Sequence, residues 1–174
     1  MRFPIGVVIA VLVVGSMVQS LAAQDQVVYA ASATSKFVNI PGLPTCMTGS
    51  VQNGDPSKGG SVIFGRGTAG CRIPWHWHTP TEQLMMVTGR ANVEMKDGAP
   101  VTLRSGDYVS LPSKHVHQFT CQTACSLFIA SDVAFDIHYV DASGNEVPPD
   151  EALKGKAPVK KAPPKGAKTE DKMQ

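Results

Sequence analysis

Between Thr45 and Val140 the chain reads as short apolar runs separated by turn residues. Ten runs stand out: TCMTGSVQ, GGSVIFGR, IPWHWH, EQLMMVTG, ANVEMK, PVTLRSG, DYVSLP, HVHQFT, SLFIAS and AFDIHYV. They are rich in β-branched and aromatic residues and are divided by NGDP, KDG, SGD and SGN, so they predict β-strands, with Asp97-Gly98 as the strongest hairpin signal. No window keeps apolar residues at helical spacing for three turns with caps at both ends, which limits helix to a turn or two. An all-β sandwich or barrel of about ten short strands follows.

The ends differ from this middle. Residues 1–22 order Arg2, an apolar run from Ile5 to Val14 and the small residues Ser20 and Ala22, the pattern of a secretory signal peptide. The run is about half of a ~20-residue membrane span, so no stable membrane insertion is expected after cleavage. Residues 23–38 read as a flexible leader and 39–147 as the β domain. Residues 148–174, built mostly from Lys, Pro, Ala and Gly, read as a disordered tail that buries too little to offset its ordering entropy. An anionic surface and plain solvation are both open uses for that tail.

Composition changes the picture only in part. The 16 Gly and 13 Pro suit short strands and tight turns. Sixteen basic against 14 acidic residues give a net charge of only +2, and the span from Lys154 to Lys168 holds six lysines and no acid, so nucleic acid is not an expected partner. Export gives the four cysteines a meaning, because disulfides persist outside the cytosol. Cys121 and Cys125 bracket a short hairpin loop, within disulfide reach across an antiparallel pair. That favours Cys121–Cys125 and, by elimination, Cys46–Cys71. A four-thiolate zinc site would need C-x-x-C spacing, which is lacking.

The candidate chemistry lies in Trp75-His76-Trp77-His78 and His115-Val116-His117. Alternate residues of a strand share a face, so His76 and His78 point together, and Glu82 returns after the turn Thr79-Pro80-Thr81. An imidazole from a distant strand would complete three neutral nitrogens and one carboxylate, a set that suits a divalent transition ion with open positions. His115 shares parity with His117 and is a candidate proton-transfer residue. Leu84, Met86 and Phe119 share parity with Glu82 or His117 and should line the pocket. Trp75 and Trp77 fall out of phase and should face an outer packing layer or a homodimer interface. Arg90 and Arg104 sit beside turns and read as solvated, and His138 reads as structural.

The stretch GCRIPWHWHTPTEQLMMVTG resembles the first cupin motif, G-x5-H-x-H-x3-E-x6-G, at every fixed position: Gly70, His76, His78, Glu82 and Gly89. The second motif, G-x5-P-x-G-x2-H-x3-N, is matched at Gly106, Pro112 and His117, whereas Lys114 replaces its glycine and Cys121 its asparagine. The resemblance implies a single-domain cupin jelly-roll β-barrel holding one metal ion through His76, His78, Glu82 and His117. Iron, manganese, zinc and nickel are not distinguished. It leaves two uses open: an exported, periplasmic or secreted metalloenzyme of oxidoreductase, dioxygenase-like type acting on a small oxygen-bearing molecule, or a non-catalytic module binding a metal or small ligand.

Overall fold

The computed structural model describes residues 27–154. The signal-peptide expectation for residues 1–22 and most of the tail expectation lie outside them. Twelve strands form: β1 (Val38–Asn39), β2 (Met47–Gly54), β3 (Ser61–Gly67), β4 (Arg72–Trp77), β5 (Glu82–Thr88), β6 (Arg90–Met95), β7 (Val101–Arg104), β8 (Tyr108–Leu111), β9 (His117–Cys121), β10 (Cys125–Ser131), β11 (His138–Val140) and β12 (Glu146–Val147). They pair antiparallel in two six-stranded sheets, β1-β2-β3-β10-β5-β8 and β12-β11-β4-β9-β6-β7. Two such sheets face to face, with β9 in one and β10 in the other, make the jelly roll. Each of the ten expected runs overlaps one of β2 to β11, and the structure adds the short edge strands β1 and β12.

The interior is built from inward-facing residues of both sheets. Met47, Leu84, Met86, Ala91, Val93, Phe119 and Leu127 are almost fully buried. The alternation fails at one place that matters. Pro74 lacks the N–H that a central strand must donate, and β4 bulges there against β9: Ile73 pairs with Phe119, but His76 is the next residue to pair, with His117. Ile73 and His76 are therefore both buried although three positions apart, and Trp75 is left half-exposed.

Both disulfides are present, Cys46–Cys71 and Cys121–Cys125, and no described cysteine is free. Three sequence expectations need adjustment. The last leader residues join the fold, since Val38 and Asn39 pair with β2 and Phe37 packs edge-on against Phe64 at 5.6 Å. The start of the expected tail is also ordered: α1 (Pro149–Ala152) has Pro at its first position and Asp150 and Glu151 in its first turn, both favourable at a helix start. It places Ala152 and Leu153 against the core. Asp97-Gly98 does lie between paired strands, but β6 ends at Met95 and β7 starts at Val101, so the connection is a five-residue loop. Gly98 does not take a positive φ there.

Candidate metal centre

Three strand ends bring the polar residues together. The bulge at Pro74 turns His76 inward and leaves the Pro74 carbonyl to accept a hydrogen bond from His76 Nδ1 at 2.6 Å. His78 follows at the end of β4, and its Nδ1 donates to the Asp136 carbonyl. His117 opens β9 and donates from Nδ1 to the His115 carbonyl at 2.8 Å. A carbonyl can only accept, so each Nδ1 carries the proton and each Nε2 keeps a free lone pair. The three imidazoles offer ligand atoms within 4.8 Å of one another, and all three side chains are buried.

Glu82, at the first position of β5, closes the group. Its carboxylate oxygens lie 3.5 Å from His78 Nε2 and 3.4 Å from His117 Nε2. Burial pushes the Glu82 carboxyl up, but the His78 and His117 imidazoles outweigh it and hold the group below its ordinary range. Burial, reinforced by His117 and His78, pushes His76 well below the ordinary imidazole value of 6.5. Metal ligation requires neutral imidazoles and an ionised carboxylate, and the shifts of His76 and Glu82 both run in that direction. His78 Nε2 is buried and has no hydrogen-bond partner. A buried polar atom left so is costly, and a bound cation is a partner that would satisfy it. The donor set therefore fits a transition ion.

The cavity beside these residues has a volume of about 20 Å³, room for about one water-sized group. Leu84 and Phe119 line it as sequence parity suggests. Met86 does not: it is buried in the core two residues beyond Leu84, about 6.6 Å further along the strand. His115 is half-exposed and stands outside the lining. Lys114 takes φ 61°, so the chain is not extended before β9 and the parity that pointed His115 inward does not apply. Lys114 occupies the motif's glycine position, and that backbone conformation accounts for the glycine preference.

Trp77 faces outward and stacks flat on His138, with ring centroids 3.9 Å apart and planes 3° from parallel. His138 in turn lies 3.3 Å from both Asp136 and Glu146, away from the cavity. Sequence reasoning missed Leu43, Met47, Ile73, Leu127, Ile129 and Phe135 as lining residues. Leu43 and Phe135 lie in connections without periodicity. Leu43 is placed by Tyr139, whose buried hydroxyl donates to the Gly42 carbonyl at 2.8 Å. Burial pushes the Tyr139 hydroxyl above its ordinary value of 10, which keeps it a donor.

The comparisons with known proteins agree with this geometry. A family model described as a cupin domain matches residues 63–130, a stretch that includes both histidine pairs and Glu82. The chain contains a cupin domain. A search of curated proteins finds no match. Among solved structures, a candidate acetylacetone dioxygenase from Methylibium petroleiphilum is 12% identical, with a TM-score of 0.57 over 74% of this chain and 90% of that one. The polyketide cyclase RemF from Streptomyces resistomycificus is 14% identical, with a TM-score of 0.57 over 67% and 87%. An RmlC-like cupin from Shewanella frigidimarina is 17% identical, with a TM-score of 0.52 over 60% and 88%. At such identities the likeness is one of fold, and the different names these proteins carry leave the reaction to be argued from the site.

Proposed function

We propose that this cupin is an exported metal-dependent enzyme of the oxidoreductase class, dioxygenase-like, acting on a small oxygen-bearing molecule. The observation that carries the reading is the buried trio of imidazoles, each with Nδ1 committed to a backbone carbonyl and Nε2 left to the interior. His76, His78 and His117 would hold one divalent transition ion through Nε2, and Glu82 would supply its carboxylate. Bound there, such an ion supplies Lewis-acid and redox chemistry. Three neutral imidazoles and one carboxylate leave the site with net positive charge for an anionic or oxygen-bearing ligand. The apolar wall of Leu43, Ile73, Leu84 and Phe119 excludes water and strengthens those charges.

The lining also favours oxidoreductase chemistry over reactions that need a separate acid and base. The only titratable residues in it are the three histidines and Glu82, and all four are committed to the ion. His115, the sequence candidate for proton transfer, stands outside. The same feature supports the second reading, a cupin that binds a metal or small ligand without turnover. Export rests on the signal-like segment, and the two disulfides fit an oxidising compartment. Among the described residues no helix is long and apolar enough to cross a membrane. Elemental analysis of protein from the native compartment, followed by oxygen uptake of the metal-loaded protein against phenolics, thiols and short keto acids, tests the proposal. Substrate-dependent uptake supports the enzyme, and metal retention without uptake against any class supports the binding module.

A further inference from the structure

Twelve residues line the cavity, and eleven of them are buried; Phe135 alone is partly exposed. Phe135 is thus the lining residue that reaches the surface. Its ring lies against the His78 imidazole, centroids 4.8 Å apart, with the partly exposed Phe135 on the outer side of the buried histidine. Phe135 belongs to no strand. It sits in the connection from β10 in one sheet to β11 in the other and is the one residue of that connection in the cavity lining.

That connection is tied down on both sides of Phe135. Asp132 Oδ1 accepts from the Thr81 N–H at 3.0 Å and Asp136 Oδ1 accepts from the Thr79 N–H at 2.7 Å. Both ties grip the turn that separates His78 from Glu82. The Phe135 N–H donates to the Pro56 carbonyl at 2.8 Å, which fixes the ring's own backbone from the opposite loop. Val133, between the ties, is exposed and buries nothing of note. A connection held by a few hydrogen bonds and one aromatic ring opens at lower free energy than the strands beneath it.

We infer that Phe135 is the gate of the metal centre and sets the size of the ligand admitted: molecules reach the imidazoles when the Asp132–Asp136 strap lifts or the ring turns aside. This deepens the metalloenzyme reading and rests on it for what enters. With the ring in place only a compact ligand fits the ~20 Å³ interior, and Phe135 is accordingly the specificity-determining residue for bulk.

The first test needs no metal. Chelator-treated protein is exposed to diethylpyrocarbonate, which acylates neutral imidazoles, and each histidine's rate is mapped by peptide mass spectrometry. Reaction at a gated group scales with the open fraction, so Phe135→Ala should speed modification of His78 at least about tenfold, and Phe135→Val by less. The half-exposed His115 and His138 should react equally in all variants and report reagent strength. If Phe135→Ala does not fold, as judged by circular dichroism, Phe135→Val decides. A His78 rate the same as wild type in the folded variant overturns the gate. In the second arm, cobalt-loaded protein is challenged with EDTA, and Phe135→Ala should release cobalt faster, whereas equal release overturns the gate as the ion's route. If wild type takes up no cobalt, the metal reading fails while the acylation rates still decide the gate.

Discussion

Strand β9 begins at His117 and ends at Cys121, both essentially buried, with 2% and 0% of their surface exposed. The two ends satisfy burial in different ways. Around Cys121 the interior is sealed by a disulfide, by Ala91, which pairs with it, and by Leu103, which pairs with Ala91, and these ask only for close packing. Around His117 every buried nitrogen and oxygen needs a partner. The structure supplies one for each Nδ1 from the backbone, yet leaves His78 Nε2 with none. One end is thus organised for stability, and the other keeps a coordination capacity that the fold itself does not use.

This contrast can be broken from either side. The largest effect on stability is expected at the apolar end: Leu103→Ala should cost ~2–5 kcal/mol of unfolding free energy, read from denaturant titration, without altering metal stoichiometry. Metal loss in that variant would show that the two ends are coupled. Removing the Cys46–Cys71 bridge, which spans 25 residues, should cost about 3 kcal/mol, and removing Cys121–Cys125, which spans four, should cost less, because a short loop constrains the unfolded chain less.

A smaller effect belongs to pH. His76 stays neutral in the folded state well below 6.5 because burial and its imidazole neighbours oppose the charge. Unfolding frees it to bind a proton, so metal-free protein should lose stability as pH falls below about 6.5. Glu82, held below its ordinary 4.5, contributes above that value, and its contribution disappears as pH falls further. Both act in the same direction. Denaturation midpoints of metal-free protein between pH 8 and 4 check this, and His76→Gln should remove the decline that begins near 6.5. The smallest change is Lys114→Gly, which relieves a left-handed residue and should stabilise the fold by about 1 kcal/mol or less, since glycine loses more entropy on folding.

The same contrast explains what was legible in the sequence. Strands declare themselves through local alternation, and His76, His78, Glu82 and His117 through their spacing. Phe135 and Leu43 enter the cavity wall from connections whose paths are set by Asp132, Asp136 and Tyr139, distant in sequence from the histidines. No periodicity records such contacts. The inward turn of both Ile73 and His76 depends on the bulge at Pro74, and the outward place of His115 on the conformation of Lys114. Alternation alone marks neither departure. The order of residues 149–153 was hidden because Ala152 and Leu153 find their apolar partners only once β11 is in place.

The central claim is that the four polar residues are a metal site and not a satisfied core, and metal stoichiometry in a pair of variants tests it most directly. His78→Ala should retain little of the metal that wild type carries, with an unchanged far-ultraviolet circular dichroism spectrum, because strands and disulfides hold the fold. His138→Ala, which disturbs the stack on Trp77 and the side-chain contacts to Asp136 and Glu146, should retain it all. Full occupancy in His78→Ala, or equal loss in both variants, would contradict the account.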